Sequence, residues 1–261
     1  MQILFRKSFD FENELQIAQQ YHTVYESRSL CHDDTVIGRY SVLPYYQELE
    51  KDLLYKKAKL INSYTQHRWI ANFEYYNVGV LKAFTFPTWT DDDFHTCKEP
   101  GPFVVKGRTN SRKHQWNTHM FAADRASAAR IGAELSNDPF LGEQGILYRK
   151  YIPLETFEEG INGLPFTNEW RFFFFKQNLL TYGYYWSQAE NANKQIIPVD
   201  GVKFAQFIAK TVKNYVNFFV LDVAKTQTGA WILVEINDGQ MSGLGMCDPH
   251  ELYRNLKLWT T

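Results

Sequence analysis

The stretch NFFVLDVAKTQTGAWILVEINDG, residues 217–239, holds two apolar runs separated by the polar segment KTQTG. Both runs are rich in β-branched and aromatic residues, and the glycine between them is typical of an antiparallel hairpin. Side chains alternate along a strand, so Glu235 and Asn237 share one face while Val234 and Ile236 share the other. The pattern therefore predicts one core face and one face that carries polar groups.

Asp222 interrupts the first apolar run, where a carboxylate is costly unless it is paired or bound to a metal. A four-residue loop over 226–229 would pair Lys225 with Ala230. Asp222 would then lie opposite Leu233, on the same face as the polar groups of the second strand. A loop of three or five residues without a bulge would place it on the other face, because the side-chain period of a strand is two.

Two carboxylates and one amide oxygen are hard ligands of the kind that Mg²⁺ prefers, with water and phosphate oxygens completing its shell. We therefore predict a magnesium site at Asp222, Glu235 and Asn237. The alternative is a solvated hairpin end, with the last two side chains in water.

A basic loop follows a strand that ends in a lysine. Lys106 closes the run FVVK, and residues 107–119 carry several basic side chains. A strand-end lysine can place a point charge on a phosphate, and a basic loop beside carboxylates can hold a polyanion; the alternative for both is solvation. Trp116, within the loop, either stacks on a base or packs against the loop itself. The sequence contains neither GxxxxGK[ST] nor GxGxxG, so it carries no P-loop or dinucleotide fingerprint.

Glu169 and Arg171 alternate in NEWRFFFF and so share one face of a strand. Arg171 either pairs with its neighbour or clamps a phosphate or carboxylate bidentately. The company of the other polar motifs favours the clamp.

Composition limits the function classes. The 261 residues suit one large domain or two small ones that share a cleft, and 44% hydrophobic residues are enough for a sizeable core. A net charge of −1 argues against a large nucleic-acid surface. The three cysteines stand far apart without a CxxC pair, which disfavours zinc and indicates a reducing, cytoplasmic setting. No apolar run is long enough to span a membrane.

Strands and helices alternate over residues 1–80, which predicts a small α/β lobe with a parallel sheet. The rest of the chain reads as antiparallel strands mixed with helices. We predict helices over 44–59, 64–76, 122–136, 199–215 and 249–259, and strands over 103–106, 147–154, 168–176, 179–186, 218–224 and 230–237.

The order of these motifs resembles the ATP-grasp superfamily over nearly the whole chain. The likeness is to the ligases that add glutamate to ribosomal proteins, to glutathione synthetase and to D-alanine–D-alanine ligase. It implies an α/β (α+β) ATP-grasp fold, with a small N-terminal α/β lobe and two α+β subdomains whose antiparallel sheets enclose a nucleotide cleft. The expected parts are a lobe over 1–80 and an ATP-grasp domain over 81–261, with a lid at 100–147 and a catalytic subdomain at 148–261.

The resemblance also implies roles for individual residues. Lys106 matches the lysine that contacts the α- and β-phosphates, and Arg171 matches the arginine that faces phosphate and acyl substrate, so both are the expected catalytic residues. The remaining matches are Lys150, Tyr151 and Ile152 for adenine, Glu155 for ribose, and Asp222, Glu235 and Asn237 for the metal.

The chain departs from the superfamily in three places. The basic loop replaces a glycine-rich lid, and the segment ETFEEGINGLPFTN lengthens the hinge. A further phosphate-binding lysine, expected on the helix before FPTW, has no clear counterpart, and Arg68 is only a loose candidate.

The implied reaction uses ATP and Mg²⁺ to convert a carboxylate to an acyl phosphate, which an amine then attacks, with release of ADP and phosphate. The substrates would be amino acids, peptides or other small molecules, with the segment 240–243 bordering the acceptor pocket. Two alternatives remain at this stage. One is a silent ATP-binding module; the other is a metal-dependent nucleic-acid-modifying enzyme that uses the basic loop.

Overall fold

The computed structural model describes residues 1–6, 12–109, 111–139, 142 and 145–260. The chain begins with a four-stranded sheet in the order β2-β1-β3-β4, and its pairs are all parallel, as predicted. The first strand is buried along its whole length, because helices and the rest of the protein cover both faces of a parallel sheet. The elements of this lobe are β1 (Gln2–Phe5), α1 (Glu12–Ala18), β2 (Thr23–Tyr25), β3 (Thr35–Arg39), α2 (Tyr46–Tyr55), β4 (Lys59–Leu60), α3 (Tyr64–Ala71), α4 (Phe73–Tyr76) and α5 (Gly79–Lys82).

Two helices of the lobe differ from the prediction. The helix expected over 44–59 is shorter at both ends, and the one expected over 64–76 is two helices separated by Asn72. Asn72 has extended backbone angles, φ −96° and ψ 99°, which interrupt the helical path. The start of α3 is as expected: Ser63 accepts a hydrogen bond from the backbone of Gln66, whose side chain accepts one in return, forming a capping box.

A second antiparallel sheet, in the order β5-β8-β6-β7, forms what we call the lid sheet. The helix α6 covers one face through residues such as Ile131 and Leu135, and Asp124 caps the start of that helix. The opposite face carries Lys106 and looks into a cleft. The elements are β5 (Thr88–Thr90), β6 (Phe103–Gly107), β7 (Phe121–Ala122), α6 (Arg125–Ser136) and β8 (Ile146–Lys150), and β8 ends four residues before the predicted end at 154.

The third part is an antiparallel sheet in the order β12-β11-β13-β14, which we call the catalytic sheet. One face packs on α7 through Phe172, Phe174 and Phe219, and the other packs on α8 through Phe173 and Phe218. Each buried phenylalanine contributes about 1.5–3 kcal/mol, so the aromatic run of β11 fixes this strand at the centre of two cores. The elements are β9 (Thr156–Glu159) and β10 (Pro165–Thr167), which form a hairpin in the insertion, then β11 (Glu169–Phe175), β12 (Asn178–Tyr184), α7 (Val199–Val212), β13 (Phe218–Lys225), β14 (Trp231–Asp238) and α8 (Pro249–Thr260).

The register of the hairpin β13–β14 corrects one prediction. Lys225 pairs with Trp231, so the loop has five residues and the predicted pairing with Ala230 is wrong. A bulge between the pairs of Val223 and Asp222 then shifts the register by one residue, and Asp222 lies opposite Glu235. The bulge restores the parity that the longer loop removes, so Asp222 still lies on the face of Glu235.

Within the part of the chain that the structure describes, no helix combines the length and apolar character needed to cross a membrane.

Candidate functional site

A cleft with a cavity volume of about 620 Å³ lies between the lid sheet and the catalytic sheet. The lid sheet contributes Val104 and Lys106, and the catalytic sheet contributes Arg171 and Glu235. Residues of α3 and the segment after β14 close one end. The polar face predicted from the sequence therefore faces an enclosed space, which excludes the solvated hairpin end.

Three charged residues form a row across the catalytic sheet. The register places Arg171 opposite Asp222, and Asp222 opposite Glu235. Arg171 donates from Nε to Asp222 Oδ1 at 2.9 Å and from Nη2 to Oδ2 at 2.8 Å, so the pair is bidentate. Asp222 is only 1% exposed, and this pairing is what makes its burial tolerable. The carboxylate at this position is thus held by Arg171, rather than Arg171 being held by Glu169.

Lys106 reaches across the cleft and pairs with Glu235 Oε1. Burial opposes ionisation of Glu235, but the charges of Lys106 and Arg149 outweigh it and lower the pKa of Glu235 to about 2. Burial also lowers the pKa of Lys106, and Glu235 counteracts part of that shift. The cleft therefore contains an ionised carboxylate at neutral pH.

Asn237 joins the two carboxylates. Its Nδ2 donates to Asp222 Oδ2 at 3.1 Å and to Glu235 Oε2 at 3.2 Å. The three residues predicted to bind a metal are therefore in direct contact with one another.

Glu169 is a second buried carboxyl group in the cleft, 6% exposed. Its one hydrogen bond to another described side chain is from Thr167 Oγ1, at 3.3 Å. Burial raises the pKa of Glu169 to about 7, a shift that Lys113 opposes and Asp222 reinforces. Near neutral pH this group is therefore divided between a hydrogen-bond donor and an acceptor.

The hinge runs along the cleft after β8. Lys150, Tyr151 and Ile152 all line the cavity, as predicted. The ammonium of Lys150 pairs with Glu99 at 2.8 Å, and the N–H groups of Lys150 and Tyr151 donate to the carbonyls of Pro87 and Pro102. The side chain of Lys150 is thus engaged at the rim.

Glu155 is placed differently from the expectation. It is not among the residues that line the cleft, and its carboxylate accepts a hydrogen bond from Asn168 Nδ2 at 3.0 Å. Glu169 instead presents a carboxyl group to the cavity. The ribose role inferred for Glu155 stays a prediction, with no support from this position.

The basic loop folds over the cleft with its cations already paired. Arg108 forms an ion pair with Glu74 of α4, and Lys113 donates to the hydroxyl of Tyr185 with its ammonium 4.2 Å from the ring centre. Trp116 lines the cavity beside Tyr151, with ring centres 6.5 Å apart. The described part of this loop, 107–109 and 111–119, thus behaves as a cover for the cleft, not as an open polyanion surface.

A family model described as an ATP-grasp domain, the third family of its clade, matches residues 93–256. The chain belongs to this ATP-grasp family.

Solved structures agree with the family at the level of the fold. The crystal structure of D-cycloserine synthetase DcsG aligns with a TM-score of 0.65 at 13% identity, covering 100% of this chain and 99% of the other. A RimK domain ATP-grasp protein from Sphaerobacter thermophilus aligns with a TM-score of 0.61 at 12% identity, covering 100% and 99%. The ATP-grasp ligase PsnB, complexed with minimal precursor, Mg and ADP, aligns with a TM-score of 0.58 at 10% identity, covering 99% and 98%. No curated protein sequence matches the chain. The predicted ATP-grasp fold and the assignment to the ATP-grasp ligases are confirmed.

The donor set of this ATP-grasp cleft suits Mg²⁺. Two carboxylates and one amide stand together, and Glu235 is ionised. Among the described residues no cluster of three His, Cys, Asp or Glu side chains could hold a metal, so a fully protein-bound cage of that kind is absent there. A partial oxygen set that leaves positions for water and phosphate is what Mg²⁺ takes. Asn237 would have to turn its amide so that Oδ1 replaces Nδ2 on the carboxylate side, because only the oxygen is a ligand.

Sequence reasoning missed a polar hub at the other end of the ATP-grasp cleft. Asp238 accepts hydrogen bonds from Asn62 Nδ2 at 2.8 Å, from His67 Nδ1 at 3.2 Å and from the Tyr46 hydroxyl at 3.2 Å. Its position next to Asn237 was the only sequence signal. The partners come from helices and turns of the first lobe, which no local pattern connects to β14.

Arg39 was also missed. It is 2% exposed, donates from Nε to Glu14 Oε1 at 2.8 Å, and donates from Nη1 to the carbonyls of Gly239, Gln240 and Ser242 at 2.7 to 3.0 Å. Arg171 Nη1 donates to the carbonyl of Gly243 at 2.7 Å. The segment that sequence analysis regarded as mobile is therefore held between two arginines.

Proposed function

We propose that this chain is an ATP- and Mg²⁺-dependent carboxylate–amine ligase that works through an acyl phosphate and forms ADP. The observation that carries the proposal is the row Arg171–Asp222–Glu235 facing Lys106 inside one cleft. Two cations and two carboxylates in an enclosed space suit a polyphosphate bound together with a divalent cation.

Asp222, Glu235 and Asn237 would hold Mg²⁺, which supplies charge neutralisation on the phosphates when it is bound. Lys106 and Arg171 lie against these carboxylates and can transfer their hydrogen bonds to phosphate oxygens. The hinge at Tyr151 and Ile152, with its apolar neighbours Val104 and Met120, suits the adenine ring. We assign the ribose hydroxyls to Glu169, because its carboxyl group lines the cleft and has a single weak hydrogen bond to a described side chain.

In the proposed reaction, a carboxylate oxygen of the substrate attacks the γ-phosphorus of ATP, and the bond to the ADP oxygen breaks. The nitrogen of an amine then attacks the acyl carbon, and inorganic phosphate leaves as the new C–N bond forms. The protein positions these groups and offsets their charge, and no covalent intermediate with a side chain is required.

The acceptor end is formed by Ser41 and His67 of the first lobe and by the segment Met241 to Gly243. It is small and mixes hydroxyl, imidazole and apolar groups. Similar folds occur in D-cycloserine synthetase and in PsnB, whose structures include a precursor peptide. We therefore propose an amino acid or a peptide as substrate.

ADP release tests this proposal. Purified protein with Mg²⁺ and ATP is incubated with pairs of amino acids and short peptides, and separately with hydroxylamine in place of the amine. We expect ADP only when a carboxylate substrate is present, and a hydroxamate when hydroxylamine traps the acyl phosphate. Nucleotide binding without ADP release from any pair would instead favour a silent module.

A further inference from the structure

Arg149 is a buried cation on the cleft wall with no role in the account above. It is 5% exposed and lines the cavity. The register pairs it with Val104, whereas Lys106 pairs with Leu147. On the cleft face of the lid sheet, Arg149 therefore lies one strand away from Lys106 and two residues nearer the hinge.

The surroundings of Arg149 hold its side chain without neutralising it. Nη1 donates to the carbonyl of Val234 at 2.8 Å, and the guanidinium carbon lies 5.6 Å from the ring centre of Phe73 and 5.9 Å from that of Phe86. Nε is buried and donates to no acceptor among the described residues. No ion pair to Arg149 occurs in the described part of the chain.

This arrangement differs from that of the other buried cations discussed above. Lys106 pairs with Glu235, Arg171 with Asp222 and Arg39 with Glu14. A buried charge without a counter-charge is strongly unfavourable. Since the nearby Glu235 is already paired, the guanidinium of Arg149 retains capacity for an anion that enters the cleft.

We propose that Arg149 binds the α-phosphate of the nucleotide, beside Lys106. The inference rests on the proposed function, because it takes the hinge as the base site and Lys106 as a phosphate ligand. A nucleotide so placed has its α-phosphate between these two points, which is where the register places Arg149. The planar fork of an arginine suits a phosphate with two accepting oxygens.

Arg68 is the rival for this role. It lies on α3, is exposed, and is not among the residues that line the cleft. It therefore serves as the matched control, an arginine from the same region that cannot reach the nucleotide in this structure.

The test is isothermal titration of adenosine, AMP and ADP into the full chain and into Arg149→Met, Arg149→Lys and Arg68→Met. For Arg149→Met we expect AMP and ADP to bind about 10- to 100-fold more weakly, as for loss of a hydrogen bond to a charged group, with adenosine binding unchanged. Arg149→Lys keeps the charge but loses the fork, so we expect a smaller loss for the same two ligands. Arg68→Met should match the wild type for all three.

Unchanged AMP and ADP binding by Arg149→Met would overturn the inference. Equal losses for adenosine would show a structural role instead, and a loss confined to ADP would overturn the assignment to the α-phosphate. If the methionine variant does not fold, the lysine variant carries the test, because wild-type AMP binding by it would refute the need for the fork. A wild-type protein that binds none of the three ligands would overturn the proposed function, and the inference with it.

Discussion

The carboxyl group of Glu169 couples folding to pH, and replacing it with an amide isolates that coupling. Burial raises the pKa of Glu169 to about 7 in the folded protein, from 4.5. Between these two values the folded protein keeps a proton that the unfolded chain has released. Stability is therefore highest at low pH for this group and falls as pH rises from 4.5 to 7.

The size of the effect follows from the shift. A difference of about 2.5 pKa units at about 1.4 kcal/mol per unit corresponds to about 3 kcal/mol. Glu169→Gln keeps the shape and removes the ionisation. We expect the unfolding free energy of the variant, relative to wild type, to rise by about 2–3 kcal/mol between pH 5 and pH 8.

The assay is urea unfolding of both proteins at several pH values, followed by tryptophan fluorescence, with the slope of the transition checked for constancy. Glu159→Gln, at an exposed position on β9, reports any general effect of removing one negative charge. A constant difference between Glu169→Gln and wild type across this range would refute the reasoning, because it would mean that Glu169 does not retain its proton on folding.

Two further perturbations test the scaffold around the cleft. Arg39→Met leaves Glu14 buried without its partner and should cost at least about 3 kcal/mol in urea unfolding, whereas Arg130→Met, which breaks an exposed pair within α6, should cost less than about 1 kcal/mol; equal costs would contradict the role given to Arg39. Gly183→Ala should destabilise by about 1–3 kcal/mol or more by thermal unfolding, because a Cβ there would lie 2.3 Å from the backbone of Met246, while Gly38→Ala meets only a contact of 3.5 Å and should be tolerated. Similar melting temperatures for the two glycine variants would show that the backbone at Met246 moves freely.

The fold could be predicted because local patterns and their order agree. Alternation in the hairpin β13–β14 assigns Glu235 and Asn237 to one face without any knowledge of the third dimension. The strand-end Lys106 and the strand bearing Arg171 follow in the order that an ATP-grasp cleft uses. These residues do meet in one cavity.

The rest depends on contacts that are distant in sequence. The bulge in β14 has no clear sequence signal, so the pairing of Asp222 was predicted with the wrong partner although its face was right. Whether Glu155 or Glu169 faces the cleft depends on how the inserted hairpin β9–β10 returns to the sheet. Arg39 and Asp238 obtain their roles from partners that lie far away along the chain.

The division of the chain at residue 80 remains a prediction. The lobe formed by β1 to β4 and the lid sheet are distinct sheets, but α3 packs on β14 and supplies His67 to the cleft. The first lobe is therefore part of the site, and a boundary placed by sequence alone does not separate it from the function.

The central claim is that the row on the catalytic sheet drives ATP-dependent ligation, and Glu235→Gln tests it most directly. The measurement is ADP release with Mg²⁺ and ATP, using an acid–amine pair that the wild type turns over, together with a thermal melt of the variant. The account predicts that ADP formation falls by at least about 10²–10³-fold, as for loss of one preorganised charge contact, while the variant stays folded. A folded variant that releases ADP at the wild-type rate would contradict the assignment of Glu235, and with it the mechanism proposed for this cleft.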